Sequence, residues 1–462
     1  MKKNEELFFL IKSLSKSEKR YFKVSTPHTE NAEYLQLFDA IDRQKTFDEV
    51  AIKALFKDKA FVHQLTTIKN YLKNKILQSL RSFHSKLSVN TELLDIIRNV
   101  EVLYHKGLYT ICFSELLRAE KKAKHFENSI ILFHILDWKR KVSQAIAPQD
   151  FETMETIVTK QKETLESAKE YTDLLLANIN PNQFSISHKQ ASSLQNKTLK
   201  TLHKYRKLLN QNASDKAKQV IEEILREWEA QPSLLKEFFT MYFATTNNLL
   251  GLLVYKALYK EAFVQILKIK QKAKANAQTS ASFIKEQLRL YNIELEIHRK
   301  LKEIHTTLET IEEIKEFLNE HSSLVPESYQ LSFRFQFATI FFFKKDYKAS
   351  LHWINEILNR KHKKDRKDLI LYTHWLNLLI HYEMGNGFTL RYLISNLRKL
   401  IRKQRNIEPY EQMILKFLSS TVDLTQPQRK KSFITLNSNL AQNPIPEVVI
   451  GYLDFYQWII NK

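Results

Sequence analysis

Gly107-Leu108-Tyr109-Thr110-Ile111-Cys112, continued by Leu116 and Ala119, is the stretch from which the fold is read. The glycine marks a turn and the tyrosine caps it. The small Cys112, three positions later, lets a second helix approach the first. Leu116 and Ala119, four and seven residues beyond Cys112, continue one buried helical face. The unit described is a helical hairpin with a short connection.

Composition carries this reading to the whole chain. Only 5 glycines and 9 prolines occur in 462 residues, against roughly 7% and 5% in an average globular protein. Such scarcity leaves little room for tight turns, bulges and phosphate-cradling loops. The expected class is all-α, ordered nearly end to end, because 43% hydrophobic and 11% aromatic residues supply ample surface to bury. A chain of this length exceeds one compact core, and its helical periodicity favours a stack of repeats.

The turn pattern occurs twice more, as Ala257-Leu258-Tyr259-x-x-Ala262 with Ile266 and Ile269, and as Lys345-Asp346-Tyr347-x-x-Ser350 with Ile354 and Ile357. Gly/Asp-x-Tyr-x-x-small between two amphipathic helices resembles the second half of the tetratricopeptide repeat. The resemblance implies an α-α superhelix of antiparallel hairpins over residues 91–425, presenting a groove to a partner. The tyrosines lie 150 and 88 residues apart, neither a whole multiple of the usual period of about 34, so helices of unequal length are expected. A further hairpin is expected at 369–384 and 388–405, joined by Gly385-Asn386-Gly387. The polar stretch 180–196 is a candidate break, and 426–462, interrupted by Pro427, Pro444 and Pro446, is suited to capping the end of the array.

Residues 1–90 read as a small bundle of short helices. Ser15-x-x-Glu18 and Thr46-x-x-Glu49 have capping-box form, Pro27 separates a helix at 16–24 from the next, and Phe61, Leu65, Ile68, Leu72, Ile76 and Leu80 line one side of a helix expected over 59–83. Short helices leading into a longer basic one are also how helix-turn-helix modules look. Lys69, Lys73, Lys75 and Arg81 are the candidate nucleic-acid contacts, and a solvated face is the alternative.

The formal net charge is +21, concentrated in residues 1–90 (net +7) and 344–431 (net +11), a field that attracts polyanions. Arg391, Arg398, Arg402 and Arg405 fall within about 60° on one helix, bordering its apolar side. With Lys363, Lys364 and Arg366 they form the candidate surface for an anionic partner, since arginine can grip carboxylate or phosphate bidentately. Phe333, Phe335, Phe337, Phe341, Phe342 and Phe343 surround a helix on more than one side and read as core.

Chemistry is conspicuous by omission. No phosphate loop, dinucleotide fingerprint, nucleophile elbow or HExxH helix is present. The single cysteine, Cys112, excludes an internal disulfide. His374 and His381, like His298 and His305, sit two helical turns apart, roughly 10 Å, too far to share a metal ion. The acidic series Glu309, Glu312, Glu313, Glu316 and Glu320 reads as a solvated face. No secretion signal or membrane span is read. The expectation is a cytoplasmic, non-enzymatic scaffold without cofactor or metal that binds a peptide or protein in a helical-repeat groove. The alternative is a nucleic-acid-associated regulator that docks through residues 1–90, with the repeats sensing or dimerising.

Overall fold

The computed structural model describes residues 5–25, 33–180, 191–276, 280–301, 304–360 and 366–460. Pro27, Lys363 and Lys364 lie outside them, as does the side chain of Phe61. The protein is 83% helical, with 24 α-helices and no strand among the described residues. The chain divides into two compact units, 1–210 with 226–237, and 211–225 with 238–462.

The first unit opens with α1 (Glu6–Ser13), α2 (Lys16–Ser25), α3 (Glu33–Arg43), α4 (Glu49–Leu55) and α5 (Leu65–Phe83). They enclose one apolar cluster in which Ile11, Leu37, Phe38, Leu72 and Ile76 are fully buried. The Ser15–Glu18 capping box forms reciprocally. The second expected box does not: Asp48 caps α4, accepting from the amides of Val50 and Ala51. A carboxylate directly before the first turn outcompetes a hydroxyl two residues further out. The expected start of α5 at 59 is instead a 3-10 turn, Ala60–Gln64.

Longer helices follow, α6 (Val89–His105), α7 (Tyr109–His125), α8 (Ser129–Ile146), α9 (Phe151–Ile179) and α10 (Leu194–Asn210); the division then runs through α11 (Ser214–Glu229), whose residues 214–225 belong to the second unit, and the short α12 (Pro232–Glu237) returns to the first. Consecutive members of α6 to α10 pack side by side, and α6 also touches α8. Helix ends are capped from a distance. The carboxylate of Glu127, in the α7–α8 turn, accepts from the amides of Leu194 and Gln195 at the start of α10.

Glu170 accepts from the amide and hydroxyl of Ser192 and from Asn196, and pairs with Lys200 at 2.9 Å. Burial would push its carboxyl up, but the hydrogen bonds outweigh this and hold it at about 2. Because the folded value lies below the ordinary carboxylate range near 4.3, the stabilisation is complete above that range and is lost as pH falls from about 4.5 towards 2. With allowance for partial exposure, the amount is about 2 kcal/mol. Acid unfolding of Glu170→Gln, followed by circular dichroism, is expected to show a flatter stability profile across that window than the wild type; identical profiles would remove Glu170 from the account.

The second unit holds α13 (Phe239–Tyr255), α14 (Tyr259–Ala275), α15 (Ala281–Leu301), α16 (Ile304–Glu320), α17 (Glu327–Phe343), α18 (Tyr347–Leu358), α19 (Lys367–Glu383), α20 (Gly387–Arg402), α21 (Pro409–Thr421), α22 (Gln426–Gln442), α23 (Glu447–Tyr452) and α24 (Phe455–Ile460). The sequence neighbours α13 and α14, α15 and α16, α17 and α18, α19 and α20, and α21 and α22 pack as antiparallel hairpins. First helices also meet first helices, α13 on α15, α15 on α17 and α17 on α19, which is the stacking of an α-α superhelix. Phe333, Phe335, Phe337 and Phe342 are buried in this stack. Phe455 and Trp458 of α24 pack with α19 and α21 in one apolar cluster.

The three tyrosine turns share one geometry. Gly107, Ala257 and Lys345, each two residues before the tyrosine, are left-handed, as is Gly385 (φ +73, +56, +64 and +70). Each amide bonds the carbonyl three residues back and the next amide bonds five back, for example Gly107 to Tyr104 and Leu108 to Leu103, the Schellman closure of a helix end. Glu127 (φ +54) repeats it without any tyrosine or glycine. The small residues Cys112, Ala262 and Ser350 are fully buried. Cys112 Sγ and Ser350 Oγ each donate to the carbonyl twelve residues earlier, Val100 at 3.5 Å and Ala338 at 2.7 Å.

A side chain at left-handed φ costs about 1–2 kcal/mol, partly offset by glycine's larger unfolded-state entropy. Lys345→Gly is therefore expected to stabilise the second unit by up to about 1 kcal/mol, and Gly107→Ala to destabilise the first by about 1 kcal/mol, although a Cβ there would meet nothing within 4 Å. Urea unfolding midpoints moving in the opposite order would contradict the turn geometry.

Candidate partner-binding cleft

Along α17, a helix rich in phenylalanine, Ser332, Gln336 and Thr339 recur at i, i+4 and i+7 and so form a polar stripe down one face. That face borders a cleft of about 210 Å³ within the second unit. Its opposite wall is α15, with Leu295, Glu296 and Arg299. The start of α19 contributes Arg366 and Leu369, and α23 closes one end with Gly451 and Tyr452.

The floor is apolar, since Leu295, Phe335 and Leu369 are buried. The rim is polar and ordered by ion pairs and hydrogen bonds. Arg299 meets Glu296 at 2.6 Å, and Gln336 donates to Asn292 at 2.7 Å. Arg366 meets Asp368 at 2.9 Å, and Tyr452 donates its hydroxyl to the same carboxylate at 2.7 Å. That hydrogen bond, reinforced by burial, raises the Tyr452 hydroxyl above the ordinary tyrosine range. The Tyr452 ring also stacks on Tyr372 with centroids 4.5 Å apart, which fixes α23 against α19. The polar ladder continues where Arg289 of α15 donates to Asn248 of α13 at 2.7 Å.

Pockets for whole small molecules usually measure about 300–1,000 Å³. A cleft of about 210 Å³ matches a side chain or two instead, and its amide and guanidinium rim can exchange internal hydrogen bonds for bonds to a polypeptide backbone. Among the described residues, no group of three His, Cys, Asp or Glu is placed to hold a metal ion, and no helix is long and apolar enough to cross a membrane.

The helix expected over 388–405 ends at Arg402, so that Arg405 lies beyond it, and the arginines singled out serve different ends. Arg391 pairs with Asp423 after α21. Arg405 grips the buried carboxylate of Glu411 through both guanidinium nitrogens, at 2.7 and 2.8 Å, and Arg366 belongs to the cleft rim. Arg398 and Arg402 have no ion pair or hydrogen bond among the described residues, and Arg402 is exposed. Of the N-terminal candidates, Lys69 pairs with Glu49 at 2.7 Å and lies over the Phe47 ring, while Lys73 pairs with Glu6 at 2.8 Å. Lys75 lies over the Tyr71 ring, and Arg81 is exposed. In the third tyrosine turn Tyr347 donates to Glu383 at 3.4 Å, and burial with that carboxylate lifts its hydroxyl to about 12.

One partly buried charge cluster lies outside the readings made from sequence. Lys270 of α14 bridges Glu294 of α15 at 2.9 Å and Glu313 of α16 at 2.6 Å. Tyr291 donates to Glu313 at 3.1 Å, and Thr310 stands 3.2 Å from His298 Nε2. Glu313 keeps 44% of its side chain exposed, as expected of the acidic face of its helix, while it pairs with Lys270. Burial opposes the charge on Lys270, but the two carboxylates outweigh it and raise the ammonium above its ordinary range. Thr310 and His298 are both buried, and the cluster ties three helices together.

No protein-family model, curated protein or solved structure matches the chain.

Proposed function

We propose that the protein is a non-enzymatic interaction scaffold, a tetratricopeptide-like α-solenoid that holds a peptide or an extended segment of a partner protein along the face built by α13, α15, α17 and α19. The observation that carries this reading is the cleft between α15 and α17, with its apolar floor and the rim of Arg299, Gln336 and Arg366. First helices stacked on first helices create a continuous concave surface in repeat proteins, and a side-chain-sized depression in such a surface is how a groove anchors one residue of a bound chain.

The test is selection of peptides from a random displayed library on the full chain, followed by affinity measurement with variants. Gln336→Ala and Arg299→Glu are expected to weaken the selected peptides by tenfold or more, while Arg81→Glu, remote from the cleft in sequence and exposed, leaves them unchanged. Peptides insensitive to both cleft variants, or none selected, would contradict the reading.

A further inference from the structure

Helix α20 presents an exposed face whose make-up the cleft does not account for. Phe388 is 89% and Tyr392 65% exposed. They stand one helical turn apart, about 6 Å between Cβ atoms, and neither ring packs on another ring among the described residues. Hydrophobic surface of this kind on a monomer marks an interaction site more often than single scattered residues do. Down the same side follow Lys399, Arg402 and Lys403, all exposed, with Arg398 half-buried at its edge. These four cations have no ion pair or hydrogen bond among the described residues. No Asp or Glu occurs from Met384 to Ile407, so the helix carries no internal counter-charge, and Asp423 is already engaged by Arg391.

We propose that this face binds single-stranded nucleic acid, with Phe388 and Tyr392 as stacking platforms for unpaired bases and Arg398, Lys399, Arg402 and Lys403 following the phosphate backbone. Stacking explains why two aromatic rings remain in water beside cations, which a purely electrostatic surface does not need. An unpaired strand is favoured over a duplex because the rings can reach only bases that are free to splay out. The inference rests on α20 alone and is independent of the peptide-binding cleft.

Fluorescence anisotropy with the full chain and a labelled 20-nucleotide oligouridylate tests it, with a duplex of equal length, heparin and a polyglutamate peptide as comparisons. The single strand is expected to bind more tightly than the duplex. Affinity should fall with salt at a log–log slope of about −0.7 for each phosphate engaged, a slope that Lys399→Glu/Arg402→Glu makes shallower. Phe388→Ala/Tyr392→Ala is expected to weaken the single strand by about tenfold or more and to leave heparin binding unchanged; both residues are too exposed for their loss to unfold the chain. No binding of the oligonucleotide at 50 mM salt, or equal binding by the aromatic double variant, overturns the proposal. Tighter capture of polyglutamate that depends on Phe388 and Tyr392 also overturns it, and would assign the face to an acidic protein segment.

Discussion

Replacing Lys270 by methionine is expected to destabilise the second unit by about 3–5 kcal/mol, the usual cost of removing one partner from a buried ion pair. The side chain of Glu294 is only 4% exposed, and without the ammonium its carboxylate keeps Thr310 at 3.5 Å and the ring of His298 at 3.9 Å. Burial already holds the Glu294 carboxyl above its ordinary range, with Lys270 pulling it back down. In the variant that restraint disappears. A carboxyl whose folded pKa is raised favours the folded state while protonated, so the deficit grows as pH rises above the ordinary range near 4.3 and levels off once pH exceeds the raised folded value. Glu294→Gln in the same background removes the stranded charge and is expected to recover most of the loss. Urea unfolding at pH 5 and pH 8 reads both effects. A deficit below about 1 kcal/mol at pH 8 would mean that the cluster is solvated.

Trp375→Ala carries an expected loss of similar size, about 3–5 kcal/mol from the lost apolar contact and the cavity left behind. Trp375 is 1% exposed in α19, and its ring meets Phe455 of α24 edge-on at a centroid distance of 5.5 Å. Phe455, Trp458 and Ile459 belong to the same apolar cluster as α19 and α21, so the cavity opens beneath the last helix. Hydrogen exchange is expected to show lost protection over Phe455–Ile460 together with the lower unfolding midpoint. An unchanged midpoint would contradict the docking of α24 on α19.

The residues that made the architecture legible are those whose chemistry is local. Gly107 and Gly385 mark left-handed helix ends because glycine adopts that conformation without steric cost, and Cys112, Ala262 and Ser350 mark close helix approach because nothing larger fits. Ala257, Lys345 and Glu127 adopt the same left-handed geometry and are invisible on that criterion, since tertiary packing imposes the turn on residues with no preference for it. Thr46 was misleading because Asp48, nearer the first turn, competes for the same amides. Helical periodicity places the arginines at the edge of the buried face, but it says nothing of Glu411 on α21 and Asp423 just after it, which engage Arg405 and Arg391. The cleft is non-local throughout. Its walls come from residues 295–299, 332–340, 366–369 and 451–452, and only the i, i+4, i+7 polar stripe in α17 hinted at it. The Lys270 cluster was hidden for the same reason, because one of its two carboxylates sits in an acidic series that looks solvated.

Hydrogen–deuterium exchange of the full chain, with and without a peptide selected on it, tests the scaffold account most directly. The account predicts slowed exchange in the stretches that border the cleft, 295–299 of α15 and 332–340 of α17, with α1 to α5 unaffected. Protection confined to any other part of the chain, or none at saturating peptide, would contradict it.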